Sequence, residues 1–267
     1  MESLNRFIEH RAKLVLDQYV SLPDTKPYPV ELYAVGRLCG VESFEEREMV
    51  PEAVMTTLTE GFKIYLQSNF ADLPGMRTRR RFSLAHEIAH TFFFEVRDGA
   101  LRLVAKAPIG DQLEQACHMG ARLLLVPERF LKHELDLDGD SITAEQIVRL
   151  SALFDVSVEV MLRRLQDLAV FERADVAPIL VHRGAIEFAV YPPWLKAVLP
   201  TPKRGLQFTS WFNRRKSAQN IVHEERSLES LTSMGLLRAR CVEITHSLCI
   251  FELKIEPPLP GSEGDAQ

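Results

Sequence analysis

Residues 79–95 read RRRFSLAHEIAHTFFFE, and the periodicity of this stretch governs how the rest of the chain is read. At ~100° per residue, from ~3.6 residues per turn, Leu84, Ala85, Ile88, Ala89, Phe92 and Phe93 fill one continuous arc of a helix. His86, Glu87 and His90 occupy the remainder. The pattern predicts a helix over Ser83 to Glu95, with Ser83 as its N-cap. That helix is a core element which turns one polar strip toward a cleft.

His86 and His90 are four residues apart, so they project from one face about one turn from each other. Two neutral imidazoles so placed can bind one Zn²⁺ at about 2.0–2.1 Å. A bound zinc lowers the pKa of its water, and a glutamate beside the first histidine can accept the water proton. Glu87 stands at that position and is the candidate general base. Three fixed residues recur by chance in roughly one chain in a hundred of this length, so the pattern alone is only moderately specific. The apolar arc around it adds weight, because chance does not favour hydrophobic residues on the opposite side.

A third protein ligand is needed to leave zinc one open position. The segment DQLEQACHMGARLLLVP (111–127) offers Glu114, which shares a helix face with His118, Ala121 and Leu125. The small residues Gly120 and Ala121 would let this helix pack closely against the first. The metal set expected is His86, His90 and Glu114. His118 is either a direct donor or a neighbour of the ligands.

Together, RRRFSLAHEIAH, EQACHMGARLLLVP and LSALFDVSVEVMLRRL resemble the motifs of the ImmA/IrrE family of zinc peptidases, over about residues 30–170. Ala89 stands where the family has glycine, and His118 where it commonly has asparagine. The resemblance implies a zinc metallopeptidase with Glu87 catalytic and His86, His90 and Glu114 on the metal, and Mn²⁺ as a second metal that could support activity. It also implies a protein substrate, a helix-turn-helix transcriptional repressor or an antitoxin. The setting would be a stress response or a toxin–antitoxin pair. The order of zones resembles the three-part radiation-response regulators of that family. On that resemblance the fold class is α+β: a mainly helical zincin-like domain at 1–125, a helix-turn-helix-like segment at 126–172 and a GAF-like α+β domain at 173–257. A disordered tail is expected at 258–267.

Residue patterns support these zones. Leu4, Phe7, Ile8 and Leu14 predict an opening helix, ELYAVGRLCG a short one ended by Gly40, and GFKIYLQS (61–68) a strand. In 126–170 Ile147, Leu150, Leu153, Phe154, Val160, Met161 and Leu165 recur at helical spacing. After Arg173 the runs PILVHRGAIEFAVYP and ARCVEITHSLCIFELKIEP alternate as strands do, with Cys249, Phe251, Leu253 and Ile255 on one face.

The 267 residues are 46% hydrophobic with a formal net charge of −5, which argues against a protein built to coat nucleic acid. No run approaches the ~20 apolar residues of a membrane span, and the first residues lack the apolar core of a secretion signal. Four dispersed cysteines form no CxxC pair, so the expected compartment is the cytoplasm.

Other features carry two readings each. Arg77, Arg79, Arg80 and Arg81 either steer an acidic substrate or hold the start of the metal helix. The helix VSVEVMLRRL either enters a DNA groove, with Arg163 and Arg164 exposed, or serves in packing and substrate docking; the latter is favoured. The segment 202–216, PKRGLQFTSWFNRRK, is either a single-strand nucleic-acid surface or an aromatic-anchored loop, again with the latter favoured. His182, His223 and His246 lack ligand spacing. The competing function class is a DNA-binding or signal-sensing regulator with a non-catalytic zinc.

Overall fold

The computed structural model describes residues 2–70, 76–97, 100–104, 107–135, 142–172, 176–183, 185–190, 226–228, 236–245 and 248–256. Segment 202–216, His223, His246 and the tail 258–267 lie outside the described residues. The chain divides into two compact units, Met1–Asp136 with Leu150–Arg164, and Leu137–Arg149 with Leu165–Gln267. Helices and strands mix throughout, so the fold class is α+β. The helical segment 126–172 is shared between the units.

The first unit opens with helix α1 (Glu2–Tyr19), which buries Ile8, Ala12, Leu16 and Tyr19 at spacings of one helical turn. Leu14 lies off that face and is 45% exposed, so the core-facing register differs from the one the apolar pattern suggested. The buried Tyr19 ends the helix usefully: its hydroxyl donates to Lys26 O and accepts from the Glu31 N–H, each at 3.0 Å. Helix α2 (Leu32–Leu38) follows, capped by the Glu31 side chain and ended by Gly40 at φ +85°, a conformation that glycine adopts without strain.

Strands β1 (Val41–Arg47), β2 (Ala53–Thr57) and β3 (Phe62–Gln67) make a three-stranded sheet in the order β1-β3-β2. Phe62, Ile64 and Leu66 point into the core from the central strand, as the alternation predicts. β1 runs parallel to β3 and β2 antiparallel to it, which leaves β2 on an edge. Neither β1 nor β2 shows clean two-residue alternation in sequence, because neither buries one whole face.

Helix α3 (Met76–His90) begins seven residues before the expected start, so Ser83 is no cap. Its hydroxyl instead donates to Glu52 Oε2 at 2.7 Å. The arginines make the extra turns possible. Arg79 pairs with Glu52, Arg80 with Glu46, and both Arg77 (2.8 Å) and Arg81 (3.3 Å) with Asp155. Arg81 also donates to Val30 O at 3.0 Å, so the basic run holds the helix start. The helix stops at His90, earlier than predicted. A 3₁₀ turn (Thr91–Phe93) follows, then the hairpin of β4 (Phe94–Arg97) and β5 (Ala100–Leu103). The aromatic run 92–94 suits that turn and strand as well as it suits a helix.

Helix α4 (Asp111–Leu125) packs on α3 through its small residues. A Cβ placed on Gly120 would lie 2.7 Å from the Ala89 Cβ, closer than two carbons can approach. Helix α5 (Glu128–Glu134) comes next. Helices α6 (Ala144–Phe154) and α7 (Val158–Asp167) are joined through Asp155 at φ +54°. Thr143 and Gln146 form a reciprocal capping box at the start of α6, and Ser157 Oγ accepts from Val160 N–H at α7. Arg164 is 3% exposed and donates to Val126 O at 3.0 Å, so it is not the surface residue that its charge suggested.

In the second unit β6 (Val176–His182), β7 (Ala185–Ala189), β8 (Arg226–Leu228), β9 (Leu236–Thr245) and β10 (Leu248–Glu256) form an antiparallel sheet in the order β7-β6-β10-β9-β8. The two strand-rich runs of the sequence are its hairpins β6–β7 and β9–β10. Glu252 on β10 accepts from Ala144 N–H and so closes the α6 N-terminus.

Gly120→Ala should force α3 and α4 apart. The expected cost is about 1–3 kcal/mol of stability, read as a lowered melting temperature, together with weaker zinc binding in a titration of the same variant.

Candidate metal centre

Helix α3 delivers the two histidines because its apolar arc is buried. Leu84, Ala85, Ile88 and Ala89 are 4% exposed or less, and Phe92 and Phe93 in the following turn are equally enclosed. The opposite strip therefore presents His86, Glu87 and His90. His90 Nε2 lies 3.1 Å from His86 Nε2, and the two rings meet edge to face with centroids 4.8 Å apart. Helix α4 brings Glu114 to the same point. Its Oε2 is 3.1 Å from His86 Nε2, and its Oε1 is 3.9 Å from His90 Nε2.

Two carboxylates thus adjoin the histidine pair. Ligand atoms of His86, Glu87 and His90 all lie within 4.8 Å of one another. Glu87 Oε2, however, accepts the Met55 N–H at 2.8 Å, which draws that carboxylate toward the edge strand. Glu114 sits against both imidazole Nε2 atoms with no competing partner in the strand. Glu114 thus reaches both imidazoles at 3.1 and 3.9 Å, and Glu87 lies beside them as well.

The donor geometry suits zinc. A tetrahedral zinc with bonds of about 2.0–2.1 Å spaces its donors about 3.3–3.4 Å apart. The observed separations of 3.1, 3.1 and 3.9 Å bracket that value. Two nitrogens and one oxygen are the donor types of an open zinc site. Among the described residues no hydrogen-bond partner reaches the buried His86 Nδ1, whereas ligand histidines often have that second nitrogen fixed by an acceptor.

Electrostatics point the same way. Burial pushes His86 down to about 4, with His90 and His118 adding to the effect and Glu114 opposing it. Burial lowers His90 and His118 as well. Neutral imidazole is the form that ligates metal. Glu87 moves the other way: burial lifts its carboxyl to about 7, although the Met55 N–H favours the anion.

His118 lies one turn beyond Glu114 on α4. Its ring is wedged between Phe82, at 5.7 Å, and His86, at 4.8 Å between centroids. It therefore braces the His86 ring laterally. His182 is remote in sequence and pairs with Glu187 Oε1 at 2.8 Å. What the sequence reading missed at this site is Met55. No side-chain signal announces it, because its backbone N–H makes the contact.

The family model of Peptidase_M78, described as IrrE N-terminal-like domain, matches residues 75–166. The match covers about a third of the chain, from the start of α3 to near the end of α7, and residues 30–74 fall outside it. No curated protein matches the chain. The matched segment contains both histidines, Glu87, Glu114 and the helix pair α6–α7, and its cluster fits a metallopeptidase. Residues 75–166 are thus similar to the IrrE N-terminal-like domain, the part of the chain that carries both histidines, Glu87 and Glu114.

Proposed function

We propose that this chain is a zinc-dependent, site-specific endopeptidase whose substrate is a helix-turn-helix transcriptional repressor or antitoxin, cut to relieve repression. The observation that carries the peptidase reading is Glu87: a carboxylate within 4.8 Å of the two imidazole donors whose Oε2 accepts the Met55 N–H at 2.8 Å. A structural metal would need no such spare base.

His86, His90 and Glu114 hold the metal in this reading. A bound zinc, or Mn²⁺ in its place, would acidify water and polarise the scissile carbonyl. Glu87 accepts the water proton and returns it to the leaving amine, a task suited to a carboxyl raised toward neutrality. His118 keeps the His86 ring in orientation. Residues 173–257 serve as a GAF-like regulatory domain, a reading supported by the antiparallel sheet of the second unit.

The alternative of a DNA-binding regulator has less support. Arg164 is buried, and Arg163 is engaged with Glu159 at 2.7 Å, which leaves α7 little free positive charge for phosphates. No helix among the described residues is long and apolar enough to cross a membrane.

The test is incubation of the zinc- or manganese-loaded chain with the helix-turn-helix repressor encoded beside it, followed by mass spectrometry of the fragments. A single cut is expected. Glu87→Gln should retain metal and lose about 10²–10⁴-fold in cleavage rate, since an amide cannot take the proton. His90→Ala and Glu114→Ala should instead bind zinc at least about tenfold more weakly by titration, each having lost a donor. Full cleavage by Glu87→Gln would rule out the mechanism.

A further inference from the structure

Helices α1, α4, α5 and α7 border a cleft of about 390 Å³, within the size range of small-molecule sites. All of its lining residues belong to the first unit. Its apolar wall is Ala12 and Leu16 of α1, Leu123 of α4, and Pro127. The first three are 9% exposed or less, so this wall is a face of the core. Leu123 also fixes where the cleft lies. At ~100° per residue it stands on the opposite side of α4 from Glu114, so the cleft is apart from the metal donors.

Charge converges on the same cleft. Lys13, Arg129, Lys132 and Arg164 line it, against the carboxylates Glu9, Asp17 and Glu128, which leaves an excess of one positive charge. Arg164 is the most buried of the four cations at 3% exposed, and its bond to Val126 O at 3.0 Å fixes the guanidinium in place. A guanidinium is a planar fork that matches a carboxylate. Arg129 is held too, by Leu16 O at 2.8 Å and Asp17 at 3.1 Å. Lys13 and Lys132 differ. Each makes an exposed pair one turn along its own helix, with Asp17 and Glu128 respectively, both at 2.6 Å. Such pairs hold weakly, so either ammonium can turn toward a ligand at little cost.

We propose that this cleft binds a small amphipathic carboxylate, with its aliphatic chain along Ala12, Leu16, Leu123 and Pro127 and its head against Arg164. Lys13 and Lys132 close over the head from the rim. The apolar wall selects the chain, since a wholly polar anion finds no partner there and would lose its water. The charge balance selects the head. A single negative charge cancels the excess, whereas a phosphate dianion would meet Glu9, Asp17 and Glu128 with one charge uncompensated. Such a ligand lies across α4 from Glu114 and competes with neither metal nor substrate. The cleft keeps this chemistry whether or not the metal centre hydrolyses peptides.

The full, zinc-loaded chain is titrated with sodium decanoate while the methyl resonances of its leucines and valines are followed by NMR. Leu16 and Leu123 should shift along one saturating curve, and the exposed Val50 and Leu103 should stay as they are. Decanol carries the chain without the charge and should bind about tenfold or more weakly. Acetate carries the charge without the chain and should shift neither leucine. Lys13→Ala combined with Lys132→Ala changes two exposed side chains; it should weaken decanoate about two- to fivefold and leave decanol as it was. Arg164→Lys keeps the charge but not the fork and should weaken decanoate about tenfold. If Arg164→Lys does not fold, the lysine pair and the methyl shifts decide. No saturable shift at Leu16 and Leu123, or equal shifts at Val50 and Leu103, would overturn the site. Decanol as tight as decanoate, or decyl phosphate tighter, would overturn the carboxylate assignment.

Discussion

The separation of helices α3 and α4 sets everything that happens at the metal centre. Glu114 is far from His86 and His90 in sequence and reaches them only because Gly120 meets Ala89 with no room for another carbon. A donor carboxylate must sit within a few tenths of an ångström of its place, and a side chain at 120 would push the helix axis out by more than that. The alanine at 89, where the family resemblance has glycine, makes the constraint one-sided. With a methyl already on α3, the whole allowance for close approach falls on Gly120. Burial of Leu84, Ile88 and Phe92 on the other side of α3 then fixes its rotation, so that distance and orientation are set by separate groups of residues.

The second constraint is electrostatic. The run of arginines at the start of α3 would repel itself if solvated alone, and placing cations near a helix N-terminus is unfavourable. Each of the four instead meets a carboxylate from elsewhere in the first unit: Glu52 beside β2, Glu46 on β1, and Asp155 between α6 and α7. Exposed pairs of this kind contribute little energy singly. Their value here is positional. They tie the sheet and the α6–α7 turn to the helix that carries the histidines, so the same segment orders the metal centre and its surroundings.

How much of this was legible follows from what each feature depends on. His86, His90 and the buried arc of α3 were readable because all lie within one helix and share its period. Glu114 was readable through a second helix with small residues in the right register. Strand β3 showed itself by alternation, since Phe62, Ile64 and Leu66 are buried on one face. The start of α3, the ion partner of each arginine and the burial of Arg164 were not legible, because each is fixed by a contact distant in sequence. Arg164, for example, is drawn in by the Val126 carbonyl left open where α4 ends before Pro127. Strands β1 and β2 escaped for a different reason. VESFEER and AVMTT are half-exposed on both faces, so their hydrophobicity carries no period of two.

That last omission bears on the chemistry. A metal-ligand motif is written in side chains, and side chains are what a sequence lists. The partner that distinguishes Glu87 from Glu114 is a main-chain N–H, which every residue but proline possesses. Two glutamates with the same side chain are thereby given different surroundings. Glu114, 54% exposed and in contact with both imidazoles, can neutralise a cation. Glu87 is buried, which lifts its carboxyl to about 7, and its Oε2 is bonded to the Met55 N–H. The division depends on β2 being an edge. A strand paired on both sides would have spent the Met55 N–H on a neighbour, and Glu87 would have lost the contact that sets its surroundings apart from those of Glu114.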